Sequence, residues 1–210
     1  MDPGASSAKS FDQLAELYRQ KYMDLRIYDD GYRIFCDLLQ GTNARVLDAA
    51  CGPGNVTQFL LNYRPDLDVL GIDLAPRMID LAQATVPKAR FLVHDLRRIR
   101  ELQQSFDGIV CAFGLPYLPK DAARQFIADC GELLQPGGVL YLSTMLGDST
   151  ASGIHRHSSG AEFHITYHGE SDLLETLGHQ GFRVLHQVHV SSPPQATNPT
   201  TDLLIIAVKD

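Results

Sequence analysis

The stretch RVLDAACGPGNVTQFLL, Arg45 to Leu61, decides how this chain is read. Its first residues, RVLDAA, form a short apolar run of strand type. Gly52 and Gly54 then flank Pro53, and a helix is expected from about Asn55 to Tyr63. Without Cβ atoms, the glycines let the backbone turn tightly and approach a bound molecule closely. The helix that follows presents unpaired N–H groups and the positive end of its dipole to an anionic group. A second strand, DVLGID, ends on Asp73. That is about twenty residues past the turn, where an acid in a doubly wound sheet accepts from ribose hydroxyls. Strand, turn, helix, strand and acid in this register point to a ligand with a nucleotide part.

The rhythm continues downstream. APRMIDLAQATV reads as a helix with Pro76 in its first turn and Pro87 just past its end. RFLVHD (Arg90–Asp95) and DGIVCAF (Asp107–Phe113) are strands. In DAARQFIADCGELLQPGG, residues Ala122, Phe126, Cys130, Leu133 and Leu134 share one face at helical spacing. Asp121 is its expected N-cap and Pro136-Gly137-Gly138 its stop. GVLYLSTM is a fifth buried strand. Continuous apolar strands separated by helices imply an α/β fold, doubly wound, with a parallel sheet covered on both faces.

After Met145 the pattern changes. LGDSTASGIHRHSSG reads as a small-residue loop, EFHITYH as a short alternating strand, and SDLLETLGHQGF as a helix capped by Ser171. RVLHQVHV and TDLLIIAVKD are separated only by the Pro-rich SSPPQATNPT, so they are expected to pair antiparallel. Upstream, FDQLAELYRQKYMDL and YDDGYRIFCDLLQ are two helices. Without repeats or low-complexity tracts, a single domain is expected: a helical cap over residues 1–42, a cofactor-binding core over 43–146, and a substrate-side loop with the last strands over 147–210.

Eighteen basic against 25 acidic residues give a net charge of −7, which argues against a nucleic-acid or anionic-membrane partner. The basic run LRRIR has no aromatic platform beside it and reads as a solvated edge. Cys36, Cys51, Cys111 and Cys130 form no C-x-x-C pair, and reduced thiols of a cytoplasmic protein are expected. No apolar run has the length of a signal h-region or a membrane span.

Two kinds of nucleotide ligand compete for the turn. A dinucleotide fingerprint wants a third glycine, G-x-G-x-x-G, and here that place is taken by Thr57. An NAD-dependent oxidoreductase would suffer from this residue. An acid, Asp48, also stands at the end of the first strand. VLDAACGPG with GIDLAP, followed by VHDLR, FDGIVCAFGLPYLP and LLQPGGVLYLS, resembles the class I S-adenosylmethionine-dependent methyltransferases in order and spacing from about Arg45 to Met145. One departure is Ala50, where family members often carry the first glycine of the motif.

The resemblance implies a Rossmann-like, seven-stranded, mostly parallel sheet with an antiparallel C-terminal strand and S-adenosylmethionine as cofactor, leaving S-adenosylhomocysteine as product. It implies that Ala50, Gly52 and Gly54 pass under the amino-acid moiety, with Asp48 supporting the loop or meeting the amino group. Asp73 would hold the ribose, Leu74 and Met78 would lie against the adenine, and Asp95 would accept from the adenine amino group with Leu96 nearby. Cys111, Ala112 and Phe113 would border the methionine part. The segment YRQKYMDLRIYDD is similar to the lid of small-molecule members, with Tyr18, Tyr22 and Tyr28 as candidate contacts to the cofactor.

Methyl transfer is an in-line displacement that needs alignment, and a base only where the acceptor is protonated. On the acceptor side, FGLPYLP brings Tyr117, and seven of the eight histidines lie at or after His155. Alternation in EFHITYH puts Phe163, Ile165 and Tyr167 on one face and Glu162, His164, Thr166 and His168 on the other. The polar face is the candidate to look into a substrate cleft or to face water, and His168 is the candidate proton acceptor. His155, His157, His164 and His168 could together hold a metal. With no carboxylate or cysteine at matching spacing, none is expected. The acidic balance and small cap point to a metabolite acceptor, and no feature separates O-, N-, S- or C-methylation or sets an oligomeric state. A non-catalytic cofactor-binding module is the remaining alternative. It requires an intact turn beside an acceptor pocket that is closed or disordered.

Overall fold

Two helices precede a regular alternation of strands and helices in the computed structural model, which describes residues 3–156, 159–193 and 200–210. They are α1 (Pro3–Tyr22) and α2 (Asp29–Leu38). The alternation runs β1 (Arg45–Ala49), α3 (Asn55–Tyr63), β2 (Asp68–Asp73), α4 (Pro76–Thr85), β3 (Arg90–Val93), β4 (Phe106–Ala112), α5 (Lys120–Leu133) and β5 (Leu134–Leu146). A hairpin of β6 (Gly153–Arg156) and β7 (Glu162–Ile165), helix α6 (Glu170–His179), β8 (Phe182–Ser191) and β9 (Thr201–Lys209) complete the chain.

The main sheet has seven strands in the order β3-β2-β1-β4-β5-β9-β8. The first five run parallel, and β9 inserts antiparallel between β5 and β8. Alternation within each strand splits the core in two. Leu47, Leu70, Ile109 and Leu140 pack with Phe126 and Cys130 of α5 and Leu177 of α6 on one face. Val46, Val69, Val110 and Tyr141 pack with Phe35 of α2, Leu60 of α3 and Ile79 of α4 on the other. Central β9 is buried along nearly its whole length, whereas edge strand β8 alternates between exposed and half-buried residues. All four cysteines are free and buried. Among the described residues, no helix is long and apolar enough to cross a membrane.

Helix α1 extends back to Pro3, eight residues before the expected Phe11, because a proline suits a first helical turn and alanines and serines follow it. It is held on two sides. Asp12 Oδ1 accepts from the Arg77 N–H at the start of α4 (2.8 Å), and Ala15 packs with Ala75 and Met78. Ser10 Oγ donates to the Glu162 carbonyl (2.6 Å), and Ser7 Oγ accepts from the His164 N–H (2.9 Å), so the β7 backbone docks on the helix.

Other local expectations need correction. The stretch expected as a loop contains β6, which forms because GIHR finds a partner in β7. Asp121 does not cap α5: Pro119 holds that position, and Asp121 sits in the first turn paired with Arg124 at 3.1 Å. Gly169, not Ser171, precedes α6. Leu134 lies past the end of α5 and opens β5, though it still shares the core with Phe126. Residues 194–199 of the Pro-rich segment lie outside the described residues.

Candidate active site

Strand order reverses between β1 and β4, and a crevice opens at their C-terminal ends, where doubly wound sheets bind ligands. At the end of β1 the chain turns through Ala50 (φ 62°) and Gly52 (φ 53°), both left-handed. A Cβ on Gly52 would point across the crevice to within 3.9 Å of Tyr18 Cε1, so bare backbone forms the floor there. Gly54 serves packing instead. It precedes α3 with φ 89°, and a Cβ there would meet Ala82 of α4 at 3.2 Å. Asp73 Oδ2 accepts from the Gly52 N–H at 3.0 Å, and Oδ1 accepts from the Ala75 N–H at 2.9 Å. The carboxylate is thus fixed on the wall of the crevice, and burial raises its pKa despite these bonds.

Asp48 lies fully buried beneath the turn, behind the lining of the cavities that open there. Its Oδ2 accepts from Thr57 Oγ1 at 2.6 Å, and its Oδ1 has no partner among the described residues. Burial pushes this carboxyl up to about 7. The residue standing where a dinucleotide site wants a third glycine is therefore fastened to the acid of β1. Of the two roles weighed for Asp48, support of the loop is the one its position fits.

Three adjoining cavities meet at Tyr18 and Tyr117, which line all of them. The first is walled by Ala50, Gly52, Asp73, Leu74, Met78, Asp95, Leu96 and Phe113. Met78 is also core, packed against Ala15 of α1. The Asp95 carboxylate borders this cavity while accepting from the Arg97 N–H at 2.9 Å and from its guanidinium. The second cavity, about 160 Å³, continues from Gly52 and Phe113 past Tyr22 and Tyr28 to Asp202. The third, about 200 Å³, lies between α1 and the β6–β7 hairpin. Phe113, left-handed with φ 60°, ends β4 with its N–H held by Ser143 and its ring 5.0 Å from that of Tyr28.

Of the residues expected at the site, Ala50, Gly52, Asp73, Leu74, Met78, Asp95, Leu96, Ala112, Phe113, Tyr18, Tyr22, Tyr28 and Tyr117 are brought together. Asp48, Gly54 and Cys111 stand behind the lining. The Cys111 thiol is fully buried and pushed up to about 12 by that burial, under Gly114. His168 is turned away. It is 4% exposed, its Nε2 donates to the Leu115 carbonyl at 2.8 Å, and it borders only a small crevice beside Lys120 and Asp172. Burial lowers its pKa, so it ties the segment after β7 to the segment after β4 as a neutral imidazole. Nor does the polar face of β7 line the third cavity: Phe163, Ile165 and Tyr167 do. Among the described residues no group of three or more potential ligands could hold a metal, and His157 lies outside them.

Asp202 is the functional candidate that sequence reasoning missed. It is 1% exposed; its Oδ2 accepts from Tyr28 Oη at 2.6 Å and its Oδ1 from Thr200 Oγ1 at 2.9 Å. Burial raises its pKa. The available signal was an acid opening the otherwise apolar TDLLIIAV.

The sequence profile of a family described as methyltransferase domain matches residues 46–138. Demethylmenaquinone methyltransferase of Thermotoga maritima is 29% identical over 148 residues, covering 67% of this chain and 62% of that one. Trans-aconitate 2-methyltransferase of Variovorax paradoxus is 34% identical over 137 residues, covering 64% and 51%. The chain thus spans between about half and three fifths of the length of these relatives. The structure of magnesium protoporphyrin IX methyltransferase from Synechocystis, solved with bound SAH, shares the fold with a TM-score of 0.75 at 19% identity over 100% of both chains. The matching profile, these relatives and the order of the sheet support a class I S-adenosylmethionine-dependent methyltransferase.

Proposed function

We propose that the chain transfers a methyl group from S-adenosylmethionine to a small-molecule acceptor by in-line displacement. One observation carries the reading: Asp73, pinned by the Gly52 and Ala75 N–H groups, lines a cavity that runs on to Phe113 and Tyr117. In this reading Asp73 takes the ribose, Leu74 and Met78 flank the adenine, and Asp95 faces its amino group. Tyr18, Tyr22 and Tyr28 surround the methionine end. The cofactor supplies an electrophilic methyl on a sulfonium, whose bond to sulfur breaks as the bond to the acceptor forms. Tyrosine faces around that position favour a cation. Holding donor and acceptor in line supplies about 7–11 kcal/mol in good cases. With His168 turned away and burial keeping the Tyr117 phenol protonated, alignment is the main contribution of the chain. Both relatives above are named for small-molecule acceptors.

The oxidoreductase alternative loses support from the Thr57–Asp48 bond at the third-glycine position. The binding-module alternative loses support from the open cavity beside Tyr117. A thermal shift series with S-adenosylmethionine, S-adenosylhomocysteine and NAD tests the reading. The first two are expected to add about 2.7 kcal/mol at a hundredfold excess over Kd, and stabilisation by NAD alone would overturn it. Asp73→Ala is expected to weaken S-adenosylhomocysteine by about 1.5–3 kcal/mol in calorimetry, the scale of a charged hydrogen bond.

A further inference from the structure

The cavity between α1 and the β6–β7 hairpin differs in chemistry from its neighbours. Its walls are apolar and largely aromatic: Phe11 packs against Phe163 at 4.8 Å, with Ile165 and Tyr167 beside them. Its charged lining residues are Lys21 and Arg156, joined by the imidazole of His155, and among the described residues no carboxylate lines it. The adjoining cavity at the turn has the opposite character, with Asp202 and, among the described residues, no lysine or arginine in its lining. Glu162 holds the Arg156 guanidinium at Nε (2.8 Å) from outside the lining, and the Lys21 ammonium lies 5.2 Å from the centre of the Tyr22 ring. A cation entering here would face like charge in a site of low polarity, whereas an anion would be attracted. At about 200 Å³ the space lies below the roughly 300–1,000 Å³ of drug-sized sites, so its occupant is small.

We propose that this cavity binds the methyl acceptor, and that the acceptor is a small molecule with an apolar ring body and an anionic group. The anionic group lies toward Lys21 and Arg156. The ring lies against the wall that Phe11 and Phe163 form together, and the atom to be methylated points past Tyr117, which also borders the cofactor cavity. The proposal rests on the methyltransferase reading for its role as acceptor site, and on the lining alone for its ligand chemistry.

A matched series tests it: 2-naphthoate, 2-naphthylmethanol and 2-naphthylmethylammonium share a ring and differ in charge. Each is titrated calorimetrically into the full chain at pH 7, with and without saturating S-adenosylhomocysteine. Naphthoate is expected to bind at least about tenfold tighter than the ammonium, with the alcohol between. The double variant Lys21→Met, Arg156→Met is expected to bring the three within about threefold, and Phe163→Ala to weaken all three together. Tightest binding of the ammonium, equal binding of all three to the parent chain, or a preference that survives the double variant would overturn the proposal. Failure of every ring compound to bind while S-adenosylhomocysteine binds would overturn this inference alone. Binding of naphthoate without any S-adenosylhomocysteine affinity would overturn the cofactor reading instead, leaving the ligand chemistry standing.

Discussion

Ala50 and Phe113 follow β1 and β4 in left-handed backbone, with φ of 62° and 60°, and both line the crevice. An L residue there costs about 1–2 kcal/mol, and glycine would avoid most of it. Ala50→Gly is therefore expected to stabilise the fold by about 0.5–1 kcal/mol, the relief exceeding the chain entropy that glycine adds to the unfolded state. Urea unfolding measures this, and an unchanged midpoint and slope would show that the turn carries no strain. Beneath it, Asp48 makes stability depend on pH. Its carboxyl is raised from 3.8 to about 7, so over that window the folded state holds a proton that the unfolded chain has released. Stability from this group is present at the acid end and is lost as pH rises. Asp48→Asn keeps the shape without titrating. Its deficit relative to the parent is expected to shrink between pH 4 and pH 7, and a deficit that grows would reverse the assignment.

At the scale of elements, β1, α3, β2 and α4 lie where the sequence placed them, because glycine and proline mark each boundary and the apolar runs are short. The glycine turn and the place of Asp73 beside it were legible for the same reason: both depend on local backbone and on order along the chain. Features set by a distant partner were not. GIHR has no apolar alternation and becomes a strand only by pairing with β7. The face that β7 turns to the cavity is decided by α1, whose Ser7 and Ser10 bond its backbone across more than 150 residues. His168 was misjudged because nothing near it in sequence announces the Leu115 carbonyl. Asp202 was hidden because its partner Tyr28 is 174 residues away. The serine contacts are testable as an element. Each is worth about 0.5–1.5 kcal/mol, so Ser7→Ala with Ser10→Ala is expected to lower amide exchange protection across α1 by about 1–3 kcal/mol. The sheet amides should stay as they are. Equal loss in sheet and helix would mean that α1 does not open separately.

For the whole molecule, the arrangement of charge matters more than its total. A chain of net charge −7 gathers Asp48, Asp73 and Asp202 around one crevice, Asp48 and Asp202 buried and Asp73 half-buried, and desolvation raises the pKa of all three. Desolvation is the first cause for each, and the nearby charge of Asp73 adds to it at Asp48. The proposed cofactor carries one positive charge more than its demethylated product, on the sulfur. Ionised carboxylates attract that charge and protonated ones do not, so the preference for S-adenosylmethionine over S-adenosylhomocysteine is expected to widen several-fold from pH 5 to pH 8. The sign follows from Asp48: its carboxyl, pushed up to about 7 by burial, ionises within this window, where an ordinary one would already be charged. Calorimetric titration of both ligands at each pH gives the ratio. Repeating it in buffers of different ionisation enthalpy is expected to reveal proton release on binding S-adenosylmethionine at pH 6. A ratio independent of pH, with no proton released, would mean that the buried acids hold one charge state throughout and do not discriminate cofactor from product.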